Sequence, residues 1–215
     1  MLELVMVIVV LGILAAVALP RMERDLRQEA GDNLLSAIRY TQHLALMDDK
    51  TGLSSPGLPR NQWQRRYWHI RFSRYDHSKY WFYTISSSKD GDNNVDKLET
   101  TLDPANGKYM YHRGGDGATA LKPQNDESPN IFLTKLYGID TISFTGGCNR
   151  IQHLGFDHLG RPHVSFYTAD TDTAWNAPIT NDCTMTFSFK DGSDDLKITI
   201  ARETGFAQIV GQNGS

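Results

Sequence analysis

The run Leu4–Leu19 (LVMVIVVLGILAAVAL) contains no polar side chain, and this limits what the rest of the chain can be. As α-helix it measures about 24 Å, or about 28 Å with Met1–Glu3 included, close to the roughly 30 Å hydrocarbon core of a bilayer. A buried core helix keeps a polar stripe, which is absent here. A cleaved signal peptide carries a basic segment ahead of its apolar run, where this chain has Glu3. The run therefore predicts a membrane-inserted helix over residues 1–20. The mean hydropathy of −0.43 excludes a polytopic membrane protein. The formal charge of −3, from 22 basic and 25 acidic residues, excludes a histone-like nucleic-acid binder or an acidic tail protein.

Glu3 is costly at the edge of such a helix unless it is paired, protonated or snorkels to the headgroups. Pro20 lacks the amide for an i→i−4 bond and tends to kink a helix. The helical pattern then resumes. Met22, Leu26, Ala30, Leu34, Ala37, Ile38, Thr41, Leu44 and Ala45 share one face, and Arg21, Glu23, Arg24, Asp25, Arg27 and Glu29 lie largely on the other. Residues 21–50 thus read as an amphipathic continuation that ends near Asp48–Gly52, ahead of Gly, Ser and Pro breakers.

Residues 51–215 alternate in short strand-like runs between turn signals. Strands are expected near Trp63–Ser73, Lys79–Ser86, Lys108–His112, Asp140–Phe144, Gln152–Asp157, His163–Thr168, Thr184–Lys190, Leu196–Ala201 and Phe206–Val210. The expected fold is α+β: one long N-terminal helix, half in the membrane, packed on an antiparallel β-sheet head.

The opening MLELVMVIVVLGILAAVALPRM resembles the N-terminus of type IV pilins and type II secretion pseudopilins. Glu3, Gly12 and Pro20 fall at that family's spacing if two residues precede Met1, which implies a leader and a Phe-Thr pair upstream. The resemblance implies cleavage by a prepilin peptidase, N-methylation and insertion in the bacterial inner membrane. It also implies assembly with other pilin or pseudopilin subunits, Glu3 pairing with a neighbour's ammonium group. The strings Leu154–His163 and Leu196–Ile209 resemble, more loosely, the final hairpins of H-type minor pseudopilins and FimT-like minor pilins.

Cys148 and Cys183 are the only cysteines. In a cytosolic protein such a pair reads as two free thiols, but in the extracytoplasmic head that the membrane segment predicts it is expected to form a Cys148–Cys183 disulfide. The run Ser88–Glu99 fits a twelve-residue calcium loop, with Ser88, Asp90, Asp92, Asn94, Asp96 and Glu99 at the ligand positions. An acidic, solvated turn gives the same pattern, so Ca²⁺ and a bare turn are both open. Arg60–Trp81 carries six basic groups against the single Asp76, interleaved with Trp63, Tyr67, Trp68, Tyr75, Tyr80 and Trp81. Such alternation can grip single-stranded DNA, yet with no recognised binding motif the expected role is first a strand pair and only second a DNA-binding surface. His153, Asp157, His158 and His163 surround the Leu159–Gly160 turn, but strand alternation separates them and no zinc site is expected. With no hydrolase, dinucleotide or P-loop motif present, the chain reads as no enzyme. The expected function is a filament subunit with its head in the periplasm or outside the cell. The alternatives are a monomeric, single-pass membrane-anchored calcium- or ligand-binding protein, or a minor pilin that binds DNA.

Overall fold

A computed structural model describes residues 2–52, 60–75, 80–91, 94–113, 123–149, 152–166 and 178–211, with the side chains of 2, 3, 15–25, 60–62 and 75 excepted. Helix α1 covers Leu2–Met47. A 3-10 turn, Arg60–Arg66, leads into β1 (Trp68–Tyr75), which turns back as β2 (Tyr80–Ser86). Short 3-10 turns at Lys97–Glu99 and Pro129–Ile131 precede the five-residue helix α2 (Leu133–Tyr137). Then follow β3 (Ile139–Gly146), β4 (His153–Phe156), β5 (Pro162–His163), β6 (Cys183–Phe189), β7 (Leu196–Ile200) and β8 (Ala207–Ile209).

These strands form two separate four-stranded antiparallel sheets. The first has the order β2-β1-β4-β5 and the second β3-β6-β7-β8. This corrects the expectation of a long N-terminal helix packed along one antiparallel sheet head. The described packing of helix on strands is confined to the stretch from Ala30 to Ala45, where Ala30, Leu34, Ala37, Ile38, Thr41 and Ala45 are buried. The side chains from Leu4 to Leu14 are exposed instead.

Burial at three- and four-residue intervals is why that stretch packs: the period keeps one stripe turned to the strands. Gly31 extends the stripe, because a Cβ there would stand 2.9 Å from Ile209 Cδ1 and 3.3 Å from Leu196 Cδ1. The helix is also fastened at its polar margin. Arg27 and Arg39 donate to the carbonyls of Asp195 and Ala207, and Gln42 Nε2 donates to those of Gly160 and Thr204. Phe72, fully buried on β1, joins the two sheets, its ring centroid 5.8 Å from Phe144 and 5.9 Å from Phe187.

Three expected strands differ. Arg60–Arg66 winds into a 3-10 turn, and the strand starts only at Trp68. Around Lys108–His112 the amides divide among separate segments: Tyr109 N–H donates to Asp126 O and Met110 N–H to Thr101 O, while Met110 O accepts from Ile85. Only isolated bridges result. The strand expected from His163 shortens to Pro162–His163, because Ser165 has φ +59°, incompatible with an extended chain. Residues 167 and 168 lie outside the described residues.

The disulfide joins Cys148 to Cys183, beside the register pair Gly146–Cys183 of β3 and β6. Between the two cysteines the chain leaves the second sheet, contributes β4 and β5 to the first, and returns.

Candidate functional site

Four places could carry function. The first is the start of α1. Ten large apolar side chains between Leu4 and Leu14 are each more than half exposed, from Val9 at 52% to Leu4 at 67%. A Cβ built on Gly12 would meet nothing within 4 Å. Nothing in the described head covers this surface, although its burial is worth about 1.5–3 kcal/mol per side chain. The side chains of Glu3 and Pro20 lie outside the described residues. Among the described residues no helix is long and apolar enough to cross a membrane.

The second is the Ser88–Glu99 loop. Ser88 is buried, its hydroxyl donating to Asp90 Oδ1 (3.0 Å) and accepting from Gly91 N–H (2.9 Å). Glu99 is buried too. Its Oε1 accepts from Lys89 N–H, and its Oε2 from Asp96 N–H at 2.9 Å, a carboxylate reaching back as in a capping box. Each Glu99 oxygen thus already accepts from one backbone amide. Asn94 and Asp96 are exposed, and Asp92 lies outside the described residues. Among the described residues no group of three or more His, Cys, Asp or Glu side chains is placed to hold a metal. Glu99→Ala, which orphans both amides, is expected to destabilise the protein by about 1–3 kcal/mol, measured by denaturant titration.

The third is the histidine-rich hairpin of β4 and β5. Buried Asp157 accepts from Leu159 N–H, Arg161 N–H, Arg161 Nε and His163 Nε2, all between 2.8 and 3.0 Å. Burial alone would raise this carboxyl. The hydrogen bonds from His163 and Arg161 outweigh burial and hold it far below the usual carboxylate range. The group is a staple across a tight turn. His158 stands away from it, its Nδ1 3.6 Å from the Asp49 carboxylate, while His153 packs on Phe166 at 5.1 Å. Asp157 and His163 come together; His153 and His158 do not join them.

The fourth is the outer face of the first sheet. Alternation along β1 turns Ile70 and Phe72 to the core, and His69, Arg71 and Ser73 the other way. One end of this face is closed. Phe166 covers His69 at 5.4 Å, and buried His69 donates from Nδ1 to Tyr67 O and accepts from Ser86 Oγ at Nε2. Desolvation is the main reason the His69 imidazole drops to about 3. The same cause, with the charge of Arg71, brings His153 down to about 4.

The other end of that face opens into a cleft of about 410 Å³. Arg71 enters it from β1, Thr84 from β2, Tyr111 and Arg113 from the segment after the Tyr109 bridge, and Gln152 from just before β4, whereas Arg74 turns to the opposite face, over Trp81. The aromatic residues of the basic stretch serve the fold. Tyr67 and Trp81 are buried, Trp68 Nε1 donates to Asp48, Trp81 Nε1 to Asp140 O, and Arg74 lies 5.6 Å over Trp81. The basic character of Arg71 and Arg74 was visible in the sequence. Arg113, Tyr111 and Gln152 were not, because each comes from a different segment and carries no motif of its own.

Comparison with protein-family models, with curated proteins and with solved structures finds no match to this chain.

Proposed function

We propose that this chain is a membrane-anchored filament subunit of the minor pseudopilin or pilin kind, with its disulfide-bearing head outside the cytoplasm. The observation that carries this reading is the apolar surface from Leu4 to Leu14, which touches nothing else described in its own chain. A surface of that size needs lipid before assembly and neighbouring helices after it. The resemblance of the first 22 residues to pilins supports the second half of that statement, and the Cys148–Cys183 bridge suits an oxidising compartment. The work of such a subunit is assembly and recognition.

Glu3 supplies the test. A carboxylate in lipid is costly unless a partner offsets it, and a neighbour's α-amino group is the partner the resemblance implies. Glu3→Ala is expected to leave the protein in the membrane and to remove most of it from sheared filament fractions, read by blotting. Normal incorporation of the variant would overturn the reading. The alternative, a monomeric anchored ligand-binding protein, predicts no cross-link between copies carrying Val9→Cys, whereas a filament predicts a ladder of them.

A further inference from the structure

We propose that Asn106 is a site of spontaneous deamidation and isomerisation, kept inactive by the fold and exposed to reaction only when the turn at residues 103–108 opens. This goes beyond the filament reading and uses nothing of it.

The chemistry starts from a dipeptide. Asn106 is followed by Gly107, whose amide nitrogen no side chain hinders. That nitrogen can attack Asn106 Cγ. A C–N bond forms, the Cγ–Nδ2 bond breaks, and ammonia leaves with the proton that the Gly107 nitrogen gives up. The product is a five-membered succinimide. Water then opens the ring at one carbonyl or the other, leaving aspartate or isoaspartate at position 106.

The fold opposes each part of this reaction. Asn106 lies in the turn between the bridged residues Leu102 and Tyr109. Gly107 N–H donates to Asp103 O at 2.8 Å, so the attacking nitrogen is engaged through its proton. The carboxamide is clamped at both atoms. Its Oδ1 accepts from Lys108 N–H at 2.9 Å, and its Nδ2 donates to Asp103 Oδ2 at 3.0 Å and to Ser128 Oγ at 3.1 Å. The anchors are buried and tied to each other: Ser128 Oγ and Asn130 Nδ2 both donate to Asp103 Oδ2. Asn106 and Gly107 themselves are exposed, so water reaches a succinimide formed there.

The converted turn does not close again as before. A carboxylate at position 106 puts an acceptor oxygen where Nδ2 donated, beside the Asp103 carboxylate, and a hydrogen bond becomes a like-charge contact. Isoaspartate also adds a methylene to the main chain, inside a turn whose ends are fixed by Asp103 N–H donating to Lys108 O at 2.7 Å. Tyr40 of α1 donates to the carbonyl of Leu102, one residue before this turn, so conversion loosens a place where the helix is held.

The experiment is peptide mapping by mass spectrometry of the full chain in neutral detergent, aged in mildly alkaline buffer with and without denaturing urea. Asn106 is expected to convert in urea and to do so about a hundredfold more slowly, or slower still, in the folded protein. Below the unfolding transition the folded rate should not change with urea, as for a local opening that exposes little surface. Ser128→Ala removes an anchor of both the carboxamide and Asp103, and should speed conversion about tenfold. Asn130→Ala, at a half-buried position, should speed it less while disturbing the core less. Asn106→Asp should lower the melting midpoint, as ageing of the parent does. Conversion of the folded protein at the urea rate overturns the proposal, and so does its absence in urea. A folded rate that climbs with urea in step with global unfolding overturns it too, as does one that Ser128→Ala and Asn130→Ala both leave unaltered.

Discussion

Replacing Cys148 and Cys183 together by alanine is expected to destabilise the head by about 4 kcal/mol, the chain-entropy value for a loop of this length. The bridge spans a sequence separation of 35, and both cysteines are buried, so alanine introduces no buried hydroxyl. What the bridge confines is no idle loop. The segment between the cysteines supplies β4, the partner of β1 through the register Trp68–Phe156 to Arg71–His153. Freed in the unfolded chain, it must find both its exit from β3 and its place beside β1. Denaturant titration of the full chain in detergent, with and without reductant, checks the figure. Reduction of the parent should reproduce the double variant, and a midpoint unmoved by either change would contradict the account.

Acidification is expected to destabilise the head well before ordinary carboxylates titrate. The cause is burial of His69, and to a lesser degree of the partly exposed His153, in their neutral forms. Both imidazoles have folded-state values below the unfolded one. Their contribution is therefore fully present above about pH 6.5 and is lost as the pH falls from there toward 3 to 4, because the unfolded chain takes the protons first. Each such group costs about 1.4 kcal/mol per pH unit, so His69 alone removes about 2 kcal/mol by pH 5. His153 removes less, because solvent reaches it. Asp157 acts in the same direction at lower pH. Its folded-state value is depressed, so its contribution is present above the unfolded carboxylate value and fades as the pH falls below it. Stability measured between pH 7 and pH 5 should fall steeply, and His69→Phe should flatten the slope by about one proton. A parent curve that is flat over that interval would show that these rings are not neutral in the folded state.

The strands were legible where one side chain in two faces the core. β6 alternates from Cys183 through Met185 and Phe187 to Phe189, and β7 from Leu196 through Ile198 to Ile200. Their membership in a second sheet was not legible. Nothing in the apolar pattern of Leu154 and Phe156 says that β4 crosses to pair with β1, since either sheet would bury those two residues. Five-residue α2 is too short for a helical period to show, and its stop at Gly138, with φ +70°, resembles any other turn. In the acidic loop the spacing of carboxylates was correctly seen, but spacing does not say what an oxygen bonds, and Glu99 bonds amides. The cleft was half visible. Arg71 and Ser73 follow from strand alternation, whereas Arg113 reaches the same place only through the folding of the segment around Tyr109.

The excursion of the chain between Cys148 and Cys183 also sets an order of events when the protein emerges from one end. A chain exposed as far as His163 holds every strand of the first sheet, with β1 already able to close on β2 and β4. β3 by then has none of its own sheet, because β6, β7 and β8 all lie beyond residue 182. Phe72, which can already meet Phe144, reaches Phe187 only at that late stage, and the strip of α1 around Gly31 stays bare until Leu196 and Ile209 arrive. Nascent or stalled chains therefore present an unmatched β3 edge and an uncovered aromatic cluster, both of which invite association with other chains. The last thirty or so residues act as the closing half of the head, and their loss should leave a protein that a quality-control protease finds readily.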